Sequence, residues 1–125
     1  MPKGRQQPVP ALTPLSFHVL LALADHDRHG YGIIKEVEER TGGEVRLATG
    51  TLYVAMQRLV EEGLIDEAPA RLGPDEDQRR RYYTLTPLGR RAARAEALRL
   101  AQLVRVASEK RLVPELRVVA GARGG

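Results

Sequence analysis

A mainly α chain with one small β-hairpin, an α+β arrangement, is the fold class that the sequence predicts, and three observations predict it. Apolar residues recur at helical spacing in four separate stretches, from Leu15, Ile33, Leu52 and Ala93 onward. Two of these stretches open on Thr-Pro, at Thr13-Pro14 and Thr86-Pro87, where a capping hydroxyl is followed by proline at the first helical position. Between the third and fourth stretches, Leu64 to Ala68 and Arg81 to Leu85 read as two strands, joined by a loop from Pro69 to Gln78 that holds Gly73-Pro74. Helix, Gly turn, helix, short strand, helix and hairpin, in that order, describe a winged helix-turn-helix, followed by one long C-terminal helix.

Composition sets the limits. At 125 residues the chain has the size of one domain, and with 42% hydrophobic but only 4% aromatic residues its core must be aliphatic. There is no Cys and no Trp, which excludes disulfides, thiolate zinc sites and cysteine nucleophiles. His26 and His29 flank a turn, where histidines are more often solvated than metal-bound, so neither metal nor cofactor is expected. No apolar run approaches the roughly 20 residues of a membrane span, and Met1 to Pro10 is polar and proline-containing rather than a signal peptide. A cytoplasmic protein is expected.

Taken in order, residues 1–12 carry Pro2, Pro8 and Pro10 without apolar periodicity and read as a flexible arm, followed by the winged helix-turn-helix domain over 13–86. The first helix should run from Pro14 to about Asp25 with Leu15, Val19, Ala22 and Leu23 inside. Its segment HVLLALA is apolar on more than one side, which suggests burial against a partner subunit or, alternatively, a tightly wrapped core of its own. Gly30 and Gly32 punctuate the chain before a second helix with Ile33, Ile34 and Val37 inward, ended by Thr41-Gly42-Gly43. Val45-Arg46-Leu47 is long enough for a short strand. Thr49 is the expected N-cap of the third helix, Leu52, Ala55, Met56 and Leu59 its inner face, and Gly63 its left-handed end.

The outer face of that third helix carries Gly50, Tyr53, Val54, Gln57 and Arg58, and no acid occurs from Val45 to Val60. Phosphates could therefore approach without like-charge repulsion. The formal net charge of +4 is a mild bias, but it is segregated: Gln78 to Ala95 holds Arg79, Arg80, Arg81, Arg90, Arg91 and Arg94 and no acid, whereas Asp75, Glu76 and Asp77 stand just before. These features point to double-stranded DNA as the partner. A winged-helix module docking an acidic protein is the alternative. No enzyme is expected, since Ser16 and Ser108 lack a nucleophile motif and no Gly-rich phosphate loop is present.

The final helix, Pro87 to about Glu109 within a segment 87–110, is too long for so small a domain to cover. Ala93, Ala97, Leu100, Val104 and Ala107 follow a four-three-four-three spacing, with Leu103 and Val106 widening the stripe, the rhythm of a helix that packs along another helix. With Leu15 and Val19 of the first helix these positions form the expected homodimer interface, the alternative being a helix folded back on its own domain. Residues 111–125 read as a flexible tail.

From about Leu15 to Ala107 the chain resembles the PadR-like transcriptional regulators, in the subgroup whose C-terminal region is one long helix. The resemblance rests on HGYG at His29 to Gly32, GTLYVAMQRLVEEGLI at Gly50 to Ile65 and RRRYYTLTPLGR at Arg79 to Arg90, in order and spacing. It implies a homodimer that binds an inverted-repeat operator, usually as a repressor, and releases it when a small-molecule effector of unidentified chemistry binds or another signal arrives. It places major-groove contacts at Thr51, Tyr53, Gln57 and Arg58 and wing contacts at Arg79, Arg80 and Arg81, and Lys35 and Thr49 complete the expected DNA-binding set. The chain departs from the pattern at Val54, where family members often have Pro, and at the wing, where Asp75, Glu76 and Asp77 argue against insertion of the tip and for contact by its base. Stacking of planar ligands on a Trp of the last helix is unsupported, since the chain has none.

Overall fold

The structure, a computed structural model, describes residues 8–68 and 81–114. The wing loop with Gly73-Pro74, the acids Asp75, Glu76 and Asp77, Arg79 and Arg80, the first seven residues and the tail beyond 114 lie outside the described residues.

Thr13 starts helix α1 (Pro14–Ala22): its hydroxyl accepts from the Ser16 N–H at 3.0 Å, and Pro14 occupies the first turn, where a missing N–H costs nothing. Just before it, Leu12 is half-buried and packs against the core, so the end of the expected arm is tied down. The helix stops about a turn short of the expected Asp25. The reason is a competing donor: Arg28 Nε takes the Ala22 carbonyl at 2.6 Å, Arg90 Nη2 takes the Ala24 carbonyl at 3.3 Å, and Arg28 also pairs with Asp25 at 3.3 Å. Arg28 and His29 then form strand β1 (Arg28–His29), which the sequence did not announce.

Helix α2 (Gly30–Arg40) begins on His29, whose Nδ1 accepts from the Gly32 N–H at 3.0 Å. It ends where Gly42 and Gly43 adopt φ of 63° and 85° and the Gly43 N–H returns to the Glu38 carbonyl at 2.8 Å, a left-handed termination that glycine permits without strain. Val45 and Leu47 do face the core, half-buried, but form no strand. The Val45 N–H is taken by the Thr41 hydroxyl at 3.0 Å, and the free edge of the sheet is filled by Arg28 and His29 instead.

Helix α3 (Thr49–Glu61) buries Leu52, Met56 and Leu59, one turn apart on one face. Its N-cap is Ala48, with no side-chain hydrogen bond, so the capping role expected of Thr49 is not filled; Thr49 is the first helical residue and is exposed. Gly63, at φ 79°, turns the chain into β2 (Ile65–Ala68). This strand pairs antiparallel with β3 (Tyr82–Leu85) in the register Ile65 to Leu85 and Glu67 to Tyr83, and β1 adds to the other edge of β3 to give the order β1-β3-β2. Helix α4 (Pro87–Glu109) starts on Thr86, whose hydroxyl accepts from the Gly89 N–H at 2.9 Å.

One aliphatic core joins these elements. α1 lies at its centre and touches α2, α3 and α4, and Leu20, Leu23, Ile33, Val37, Leu52, Met56, Leu59, Leu64 and Ile65 are essentially inaccessible to water. Val19 is also fully buried and Ala93 nearly so, both within their own chain. These two residues expected at a subunit interface therefore serve the core of one chain.

α4 crosses the α3–β2 turn closely enough that only glycine fits. A Cβ on Gly89 would meet the Leu64 carbonyl carbon at 3.0 Å, its oxygen closer still, and Leu85 Cδ1 at 2.8 Å. We expect Gly89→Ala to lose about 1–3 kcal/mol, as overpacking against backbone does, with a thermal midpoint lowered by several degrees. Gly50→Ala, where a Cβ would have nothing within 4 Å, should hold or raise the midpoint through helix propensity. Circular dichroism melts of both variants check this, and an unchanged midpoint for Gly89→Ala would refute the crossing.

Candidate nucleic-acid interface

With Leu52, Met56 and Leu59 inward, the geometry of α3 puts Gly50, Tyr53, Val54, Gln57 and Arg58 on the opposite side, all exposed, with Thr49 and Thr51 at its start. Val54 is 68% exposed and Tyr53 44%. A valine so open to water contributes little to the core, so the face it belongs to has another use or none.

Tyr53 is held from below. Its phenol lies over Gly30, where a Cβ would come within 2.8 Å of the ring carbon bearing the hydroxyl, so the start of α2 and the middle of α3 approach through a glycine. Beside them lies an open cleft of about 830 Å³ between α3, the start of α2 and the sheet, lined by His29, Tyr31, Tyr53, Gln57, Glu67, Arg81 and Tyr83 among others. His29 stacks on Tyr31 at 6.4 Å and meets Tyr82 edge-on at 5.4 Å, which joins the helix start to the sheet.

Arg81 stands at the base of the wing, exposed, and donates to Glu67 at 2.9 Å. Glu67 was not singled out from the sequence, and the signal for it is the strand register: Glu67 sits opposite Tyr83, which makes Arg81 its diagonal neighbour on the same face. An exposed pair of this kind is worth about 0–1 kcal/mol, so Arg81 is easily drawn to another anion. Lys35 lies exposed on α2, away from the cleft lining. Arg79 and Arg80 lie outside the described residues.

Of the positions expected at a subunit interface besides Val19 and Ala93, Leu15 is half-buried against the core, Leu100 and Ala107 are partly exposed, Ala97 is exposed and Val104 is 38% exposed. Leu98 and Leu103 add 64% and 53% exposed surface. Among the described residues of α4 only Gly89, Ala92 and Ala93 are buried, so the helix leaves its own domain after about two turns. No helix among the described residues is long and apolar enough to cross a membrane.

The family model for the transcriptional regulator PadR-like family matches residues 19–95, which includes α2, α3, the sheet and the start of α4. The chain belongs to the PadR-like family of transcriptional regulators. A 37.1 kDa protein in transposon TN4556 of Streptomyces fradiae is 39% identical over 85 residues, which are 68% of this chain, and the match spans 22% of that relative's length. A PadR family transcription regulator from Clostridium difficile is 27% identical with a TM-score of 0.66, over 76% of this chain and 95% of that one. Bacillus subtilis PadR, solved in complex with operator DNA, shares the fold at 22% identity and a TM-score of 0.56, over 65% of this chain and 46% of that one. The winged-helix fold and the family expected from the sequence are thus both found.

In this PadR-like chain Tyr83 titrates against its surroundings. Burial first, and then the charge of Glu67 and the neighbouring Tyr53, raise its phenol above the ordinary value of 10.0, with Arg81 opposing. The native state thus keeps the proton longer than the unfolded chain, so this contribution to stability is complete below the unfolded pKa and is lost as pH rises through the folded one. Urea midpoints measured from neutral pH to above pH ~10 should fall more steeply for the parent than for Tyr83→Phe. Parallel declines would dismiss Tyr83 as a source of the alkaline instability.

Proposed function

We propose that the protein is a homodimeric, sequence-specific DNA-binding regulator of transcription, acting in the cytoplasm as a repressor on an inverted-repeat operator and released by a small-molecule effector. The observation that carries the reading is the outer face of α3, where exposed Tyr53, Val54, Gln57 and Arg58 stand free of acids through Val60, next to a sheet that presents Arg81 on the same cleft as Tyr53 and Gln57. A helix of about 20 Å with one solvent-facing polar side fits the major groove, where Gln reads adenine and Arg reads guanine by paired hydrogen bonds. Thr49 and Thr51 sit at the end of the helix that enters the groove first, and Arg79, Arg80 and Arg81 are assigned to phosphates flanking it. Lys35 is assigned to the backbone as a point charge. Membership of the PadR-like family and the fold shared with Bacillus subtilis PadR, a protein seen bound to operator DNA, support the assignment.

The dimer is assigned to α4 from Ala97 to Ala107 together with Leu15. A seam of exposed Ala97 and Val104 and partly exposed Leu100 and Ala107 on a helix of about 34 Å is what a second copy would cover under two-fold symmetry. Two recognition helices would then address half-sites about one helical turn apart.

Duplexes selected from a random pool supply the target for the test. Gln57→Ala and Arg58→Ala should each weaken binding to the selected duplex by about 1–3 kcal/mol and relax the preference at one base pair, with unchanged thermal midpoints. Undiminished affinity and selectivity in both variants would take α3 out of the groove.

The dimer has its own test. Leu100→Asp puts an unpaired carboxylate into the seam, and desolvating it costs several kcal/mol if a second subunit covers the site. Light scattering should report a monomer for this variant and a dimer for the parent. A dimer with native circular dichroism in the variant would move the interface elsewhere.

A further inference from the structure

The HGYG segment at His29 to Gly32 holds two glycines with different surroundings. Both lie in the first turn of α2, and neither is among the left-handed glycines of the described residues, which are Gly42, Gly43 and Gly63. Backbone conformation therefore calls for glycine at neither place, and glycine forms helix less readily than alanine. Space distinguishes the two. A Cβ on Gly32 would make ordinary contacts, at 3.5 to 3.6 Å from His29 and Arg28. A Cβ on Gly30 would run into Tyr53: its three nearest atoms are the hydroxyl oxygen, the ring carbon bearing it at 2.8 Å and a neighbouring ring carbon at 3.3 Å, all of that one side chain.

The start of α2 thus serves as a rest for the phenol. Tyr53 leaves α3 on the flank toward α2 and the sheet, and its tip lies on Gly30 at the edge of the cleft that Arg81 also lines. Its ring remains 44% exposed, whereas Val54 and Arg58 line a groove on the other flank, beside Ala11 and Thr13. A side chain whose tip is set against α2 does not also extend from the crest of α3 to the floor of a groove. What runs along the flank of a helix lying in the major groove is the sugar-phosphate strand. Resting on the DNA-binding reading above, we propose that Gly30 is a positioning residue for DNA binding: it leaves the room in which Tyr53 lies, and so sets the phenol to donate to a backbone phosphate beside Arg81. Such a contact supports affinity on any sequence, because a phosphate carries no base identity. Holding the ring in place beforehand also spares the ordering that a free phenol would undergo on binding.

The test uses fluorescence anisotropy at low salt, with a duplex selected from a random pool and with an unselected mixed-sequence duplex. The full chain is compared with Gly30→Ala, Gly32→Ala, Tyr53→Ala and the double variant Gly30→Ala, Tyr53→Ala. Loss of a hydrogen bond to a charged group corresponds to about tenfold in affinity, so Gly30→Ala and Tyr53→Ala should each weaken binding by about that factor on both duplexes. Gly32→Ala should bind like the parent. In the double variant the three nearest obstacles to a Cβ at position 30 are gone, so it should fold and bind as Tyr53→Ala does, without a second loss on top of the first. Should Gly30→Ala alone fail to fold, the double variant still decides, because removing the phenol restores folding if Tyr53 is the reason for the glycine. A double variant that is unfolded, or that shows the product of the two losses, overturns the proposal, since Gly30 then serves α2 independently of Tyr53. Parent-like binding of both duplexes by Gly30→Ala or by Tyr53→Ala overturns it too, and leaves DNA binding by α3 to Gln57 and Arg58. A loss confined to the selected duplex overturns the phosphate contact and makes Tyr53 a reader of bases. A parent chain that binds neither duplex would remove the DNA-binding reading itself and the positioning role with it.

Discussion

The close crossing of α4 over the turn between α3 and β2 is the constraint on which the rest of the molecule depends. The Thr86 hydroxyl donates to the Gly63 carbonyl at 2.6 Å while the Thr86 N–H donates to the Leu64 carbonyl at 3.1 Å, and the same hydroxyl accepts from Gly89 to start α4. One threonine thus closes a helix end, a strand start and a helix start. Gly63 supplies the left-handed turn and Gly89 the room for backbone to pass backbone. The three parts whose relative placement matters for a winged helix, the recognition helix, the wing and the long C-terminal helix, meet at this point. A shift there would change the angle between α3 and the sheet, and with it the alignment of Tyr53 and Gln57 with Arg81 across the cleft.

The electrostatics of the proposed face follow from this placement more than from net charge, which at +4 is modest. The α3 surface is free of acids through Val60, but Glu61 and Glu67 both line the cleft beside it. Glu67 is neutralised by Arg81 at 2.9 Å, and because both partners are exposed the pair is weak enough to exchange for a phosphate. An arginine held in this way is kept extended over the cleft and remains available. The carboxylate left behind then adds a repulsive element against anions placed in the wrong register, which is how charge contributes to selectivity rather than to affinity alone.

Much of the fold was legible because its signals are local. The two Thr-Pro starts, the glycines at 42, 43 and 63, and the one-turn spacing of Leu52, Met56 and Leu59 each act within a few residues, and each appears in the structure as expected. What failed was non-local. Val45 and Leu47 have the alternation of a strand, but a strand needs an edge, and Arg28 and His29 occupy that edge from far upstream in the chain, opposite Tyr83 and Tyr82. Thr49 has the chemistry of a cap, but the Leu52 N–H already finds the Ala48 carbonyl at 2.9 Å one residue earlier, so the helix starts before it. The proposed site was read from a charge pattern on α3, and Glu67, His29 and Tyr31 join its cleft only through strand register and ring packing.

Burial of Val19 bears on how the proposed dimer is built. The all-round apolar character of HVLLALA has two explanations, a partner or a wrapped core, and full burial of Val19, Leu20, Ala22 and Leu23 by one chain favours the second for most of the helix. The surface left for a partner is then carried mainly by α4, where Leu98, Leu103 and Val104 stand open on a helix that the domain covers only at its start. Because the covered start of α4 is bound to the recognition helix through Thr86 and Gly89, a partner gripping the far end of α4 would set the distance between two recognition helices through a rigid lever. A ligand that altered the packing of the two α4 helices would alter that distance. In the proposed dimer, α4 is therefore the part of the chain through which a change in subunit packing would reach α3.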